Sequence, residues 1–208
     1  MIQHKPWNPY AMKKTLLLFT AVALLAAVKF SDEKNIVWEL DKSNAKLTFS
    51  LSRILMSPVT GQVKLFDVKV TTFKEDLSDA VAEMTADVVT ISTGNHKRDL
   101  EVQGSNYFDV TKYPKITFKS NSFRKINERD YKVLGILTMH GITRPVTVDV
   151  TYTKEINPAT NKQVLKFKST CVINRFDFDV GSGPSSALVG KDVTISAITE
   201  FVKAEGLK

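Results

Sequence analysis

Few side chains in this sequence are equipped for chemistry. Its histidines are His4, His96 and His140, and its single cysteine is Cys171. His96, Arg98 and Asp99 stand close enough in sequence to suggest a general-base cluster. A general base must reach its substrate's proton and be tuned by its neighbours. Neighbouring residues on a short helix point in different directions, so the trio cannot face one substrate. Arg98 or Asp99 is better read as a tie between a helical cap and the rim of a larger structure. His140 precedes Gly141 in a two-residue turn of the kind that needs positive φ, and is expected to hydrogen-bond to a neighbouring strand. Only His96 could join it on a metal, and neither a zinc spacing nor a His-x-x-x-His pair is present. Arg175 is expected to pair with Asp177 or Glu200, with the polar head of a ligand as the alternative. Cys171 lies in Leu165-x-Phe167-x-Ser169-x-Cys171-x-Ile173, on one mainly apolar strand face, and reads as core. With no Gly-x-Ser-x-Gly elbow and no phosphate-binding glycine loop, the sequence offers no catalytic set, no metal site and no required cofactor. A non-enzymatic protein is expected, with Arg98, Asp99, His140 and Arg175 as polar candidates at a rim.

The elements that must carry these residues are strands. The chain has 208 residues, 43% hydrophobic and 25% charged, which excludes disordered and low-complexity classes. Period-2 alternation dominates: Ile36-Trp38-Leu40, Leu47-Phe49-Leu51, Val146-Val148-Val150-Tyr152 and Val193-Ile195-Ala197-Thr199-Phe201 each mark one face. Similar stretches cover 62–71, 80–91, 115–120, 131–139 and 164–174. Turn chemistry separates them at 41–44, 57–61, 127–130, 140–141 and 157–161. One apolar and one polar face per strand indicates antiparallel pairing, because parallel sheets give unbroken apolar runs. About eight strands can stack as a sandwich or close into a barrel, and alternation alone does not choose between these.

Two segments depart from the strand rhythm. In 92–114, Asn95 is expected to cap a helix over 96–103 ended by Gly104, and Ser105 to cap a further turn through Phe108. Leu100, Val102, Tyr107, Phe108 and Tyr113 would supply its apolar contacts. The other segment is the leader. Lys13 and Lys14 precede Leu16–Val28, an apolar run of 13 residues broken only by Thr20. A membrane-spanning helix needs roughly 20 apolar residues, whereas a signal-peptide core needs about 7–15. Residues 1–28 are therefore read as a signal peptide with Met12 as an alternative start, followed by one domain over 29–208. Export to the periplasm or medium is expected. The formal net charge of +7 comes partly from Lys5, Lys13 and Lys14 in this leader, so it does not point to nucleic acid.

Large side chains on single strand faces are the candidate ligand lining: Trp38, Phe49, Leu51, Phe66, Phe118, Leu137, Phe167 and Phe201. Alternation leaves open whether they surround a hollow or fill a solid core.

Four stretches carry a resemblance. They are Ile91-Ser-Thr-Gly-Asn-His-Lys-Arg-Asp99 with Asn106-Tyr-Phe-Asp-Val-Thr-Lys-Tyr-Pro114, then Gly135-Ile-Leu-Thr-Met-His-Gly-Ile-Thr-Arg-Pro-Val146, then Ile173-Asn-Arg-Phe-Asp-Phe178, and Val189-Gly-Lys-Asp-Val193. With Trp38 in the first strand, the chain resembles the YceI-like family of exported polyisoprenoid-binding proteins over roughly 36–202. The resemblance implies an all-β fold, an eight-stranded antiparallel lipocalin-like barrel whose tunnel holds a polyprenyl, isoprenoid-quinone or fatty chain for transport, storage or sequestration. A lipid is then the expected partner, with transient membrane contact and no nucleic acid. An enzyme or redox-delivery factor acting on a lipid-like substrate, and a solid-core β interaction module, are the alternatives. Two positions depart from the family pattern: Arg53 stands where a histidine is usual, and Phe178-Asp179 replaces Phe-Gly. Both bear on the mouth of the tunnel.

Overall fold

The structure is a computed structural model, and it describes residues 35–204 except 55, 159 and 184–187. The expected leader lies outside the described residues. The described residues form one compact unit.

The strands are β1 (Ile36–Leu40), β2 (Lys46–Arg53), β3 (Met56–Val63), β4 (Phe66–Thr72), β5 (Val81–Asp87), β6 (Ile91–Ser92), β7 (Lys115–Lys125), β8 (Asp130–Met139), β9 (Ile142–Asn157), β10 (Lys162–Asn174) and β11 (Val189–Lys203). The one α-helix among the described residues is α1 (His96–Gln103). All pairings are antiparallel, and the sheet runs β1-β4-β5-β7-β8-β9-β10-β11 and back to β1. The return pairing, Leu40 with Phe201 and Trp38 with Lys203, closes an eight-stranded barrel. The choice between sandwich and barrel is thereby settled. Closure gives each strand of this ring a partner on both sides.

Two of the barrel staves are broken in mid-course. β1 and β2 are halves of one stave, interrupted where Asp41 caps a 3-10 turn by accepting from the Ser43 amide at 3.0 Å. β3 and β4 are halves of the next, bent at Lys64–Leu65. β11 spans both halves of the first stave, pairing β2 through Val189–Ile198 and β1 through Phe201–Lys203. The stretch 57–61, expected to be a turn from its Pro and Gly, is strand instead. β6 covers β3 only at Gln62 and Val63, so Pro58, which has no N–H to donate, lies where β3 has one open edge.

One end of the barrel is filled. Trp38, Val70, Leu165 and Phe201 form a buried cluster with an aromatic series across neighbouring strands: Phe123, Tyr131, Tyr152, Phe167 and Phe201 follow one another at centroid distances of 5.3–6.4 Å. The loop between β4 and β5 seals this end. Leu77 is buried there despite a φ of 58°. The Tyr131 hydroxyl donates to the Asp76 carbonyl at 2.6 Å, and burial pushes this phenol up to about 12.

The other end carries the excursion. α1 spans His96–Gln103, and the Asn95 side chain accepts from the Arg98 amide at 3.1 Å. Gly104 ends the helix in extended conformation. The following turn is organised by the Gly104 carbonyl, which accepts from the Tyr107 and Asp109 amides at 3.0 Å, and no second helical turn forms. Val102, Tyr107 and Phe108 pack inward as expected, whereas Leu100 is exposed.

Candidate functional site

The inward faces do not meet at the centre. Between the sealed end and α1 lie two adjoining cavities of about 150 and 350 Å³, each far above the ~10–15 Å³ that one water needs. They share Leu47, Met84, Leu137 and Ile195, which form a waist between an inner and an outer chamber. The staves around them alternate as antiparallel strands must: Val146, Val148 and Val150 of β9 and Ile195, Ala197 and Thr199 of β11 face the inner chamber. A solid-core module is therefore excluded by the geometry.

The large residues singled out from the sequence divide between the chambers. Phe66, Phe118, Phe167 and Phe201 line the inner one, Phe49 and Leu51 the outer, and Leu137 both. Trp38 lines neither. It is buried in the sealed end, and its indole N–H has no hydrogen-bond partner among the described residues. Its parity is inward, but its place along the stave is beyond the inner chamber. Cys171 lines the inner chamber, and burial pushes its thiol up.

Two glycines make room for aromatic rings at the lining. Gly61 faces Phe49 across β2 and β3, and a Cβ there would overlap the ring and lie 2.9 Å from the Ser92 carbonyl oxygen. Gly135 does the same beneath Phe118.

The polar candidates are tied to the protein at different places. Asp99 accepts from the Thr93 amide at 2.7 Å and its hydroxyl at 2.5 Å, and these bonds, with the nearby Arg98 charge, hold its carboxyl below the usual range. Arg98 donates Nε to the Thr93 hydroxyl at 2.8 Å and Nη2 to the Thr93 carbonyl at 2.9 Å. Together they fasten α1 to the end of β6. His140, at φ 52° in the turn with Gly141, contacts the Phe178 carbonyl through Nδ1 at 3.1 Å and the edge of Tyr113. His96 is exposed.

Arg175 departs from expectation. It is 4% exposed, and its described partners are main-chain carbonyls rather than Asp177 or Glu200: Gly190 at 3.0 Å, Val180 at 2.8 Å, Val189 at 3.1 Å and Gly181. Glu200 lies instead near Lys166. Arg175 thus knits the 3-10 turn Arg175–Phe178 to the start of β11, and the Tyr107 ring rests against Gly181, where a Cβ would meet it at 2.5 Å. Asp179, the departure from the family's Phe-Gly, takes the left-handed conformation that glycine would serve, at φ 55°. Its carboxylate accepts from the Ser182 hydroxyl at 2.5 Å.

Sequence reasoning did not place Met84, Val148 and Ile195 among the lining residues, although all three line the chambers. Inward parity on β5, β9 and β11 would have found most of them. It also passed over Arg53 as a lining residue, although it follows Leu47, Phe49 and Leu51 at the same parity.

The sequence matches the YceI-like domain over residues 38–201. Among relatives, a UPF0312 protein of Staphylococcus aureus is 31% identical over 170 residues, covering 79% of this chain and 96% of the relative. One from Pectobacterium carotovorum is 26% identical over 191 residues, covering 91% and 99%. Among solved structures, Burkholderia cenocepacia BcnA superposes with a TM-score of 0.70 at 28% identity, covering 77% of this chain and 98% of that one. A polyisoprenoid binding domain from Saccharophagus degradans, at 13% identity, shares the fold with a TM-score of 0.62 over 80% of this chain and 98% of its own. A match through nearly the whole barrel, with the four sequence stretches placed on its rim and staves, shows that this chain belongs to the YceI-like family.

Proposed function

We propose that this chain is an exported, non-catalytic lipid-binding protein that holds a polyisoprenoid or isoprenoid-quinone-like chain in its two chambers, for transport, storage or sequestration. The observation that carries the reading is the apolar interior left open inside a closed barrel. Apolar burial yields about 25 cal/mol per Å², so ten enclosed methyl or methylene groups contribute roughly 8 kcal/mol before the costs of association. Such binding needs no directional chemistry in the inner chamber. The polyisoprenoid-binding description of the Saccharophagus neighbour agrees with this reading.

The mouth suits exchange with a membrane. Ile54, Met56 and Leu188 are exposed beside the outer chamber, and the Ile54 amide donates to the Leu188 carbonyl at 3.2 Å. Transient insertion of these side chains would give a lipid an apolar path inward.

The test is native mass spectrometry and organic extraction of protein purified from its own host. A co-purifying isoprenoid or other long apolar chain is the expected result. An empty protein with no affinity for quinones, polyprenyl phosphates or fatty acids would refute the proposal.

A further inference from the structure

We infer that the outer chamber receives the anionic head of its ligand, a phosphate or carboxylate, on the guanidinium of Arg53. The inference rests on the lipid-binding reading above and adds the head-group chemistry. Leu47, Phe49, Leu51 and Arg53 occupy alternate positions of β2, and all four line the outer chamber. The strand thus offers three apolar side chains and then one cation, in the order of an amphiphile's tail and head.

The charges around the chamber are unbalanced. Arg53, Arg98 and Arg175 line it, and Glu101 is the one carboxylate among the described residues of that lining. Arg98 is committed to Thr93 and lies beside Asp99. Arg175 is buried and occupied by hydrogen bonds to main-chain carbonyls. Arg53 is half-buried, and its guanidinium makes no hydrogen bond or ion pair with any described residue, Glu101 included. A half-buried guanidinium at the edge of an apolar chamber loses part of its hydration, and a charge-assisted, bidentate pair with an oxyanion restores what is lost. An alcohol or a quinone carbonyl would satisfy its donors but leave its charge uncompensated.

The probes are geranylgeranyl phosphate against geranylgeraniol, and palmitate against hexadecanol, in phosphate-free buffer. Binding is measured for wild type, Arg53→Gln and Arg53→Lys after circular dichroism confirms an unchanged fold. Wild type should prefer at least one anion over its matching alcohol by roughly ten- to hundredfold, the span of a charged hydrogen-bonded contact. Arg53→Gln should remove that preference by weakening the anion far more than its matching alcohol, and Arg53→Lys should keep part of it. The pair that shows the preference identifies the head as phosphate or carboxylate. Equal affinity for anion and alcohol in both pairs, or a preference that survives Arg53→Gln, overturns the head-group assignment while the lipid-binding reading stands. If none of the four probes binds, both fall together.

Discussion

The ring of Phe118 fills the space above Gly135 where a side chain would otherwise stand. A Cβ on Gly135 would overlap that ring and lie 2.7 Å from the Lys119 carbonyl oxygen. The two residues lie on neighbouring strands, β7 and β8, and the glycine lets the phenyl lean back from the inner chamber. Gly135→Ala should push the ring into the cavity and cost about 1–3 kcal/mol through overpacking. Urea unfolding measures the cost, and lipid titration should show weaker binding. Unchanged stability and affinity would mean that the ring has another place to go.

Arg175 predicts a larger loss. Its removal takes a donor from the buried carbonyls of Val180 and Gly181, and each unsatisfied group costs roughly 1–3 kcal/mol. Arg175→Met should lower stability by about 3–5 kcal/mol, seen as a drop in the urea midpoint. Arg175→Lys should recover only part of this, because one ammonium cannot reach the positions served by a planar fork.

The waist predicts selectivity by chain length. Ile195→Phe adds bulk where the chambers join. A geranylgeranyl chain, long enough to need both chambers, should lose roughly tenfold or more in affinity, while a geranyl chain should bind as before. Equal losses for both would place the chain outside the inner chamber.

Asp99 predicts a pH dependence confined to the cap. The Thr93 hydroxyl and amide hold its carboxyl below the ordinary 3.8. A depressed acid stabilises the fold above its unfolded value, and that contribution disappears as pH falls through the folded one. Amide exchange in α1 should therefore quicken below 3.8 relative to β8 and β9. In Asp99→Ala the α1 amides should exchange quickly at all pH values. A cap whose protection is flat on acidification would show that Asp99 does not hold it.

Much of this architecture was legible because its signals are local. Alternation marked every barrel stave except its β3 half, and Asn95 with Gly104 bounded α1, since a cap bond and a helix stop depend on a few adjacent positions. The misreadings have non-local causes. Whether Pro58 breaks a strand depends on which neighbour covers β3. Arg175 reaches Val189 and Gly190, on another strand across a connecting segment. Trp38 has the right parity for the chambers but the wrong depth, and parity carries no depth. The hollow itself is the volume that many side chains fail to fill, which no single position encodes.

The pairing of Leu40 with Phe201 has a consequence for how the protein is made. The first stave finds its closing partner only in β11. While the chain is being synthesised, β1 and β2 lack that partner and present bare strand edges, which invite pairing with other chains. Contacts so distant in sequence are slow to form. The interior therefore does not exist as an enclosed space until β11 arrives, and any lipid captured before then would have to be trapped by the closing strand rather than admitted through the mouth.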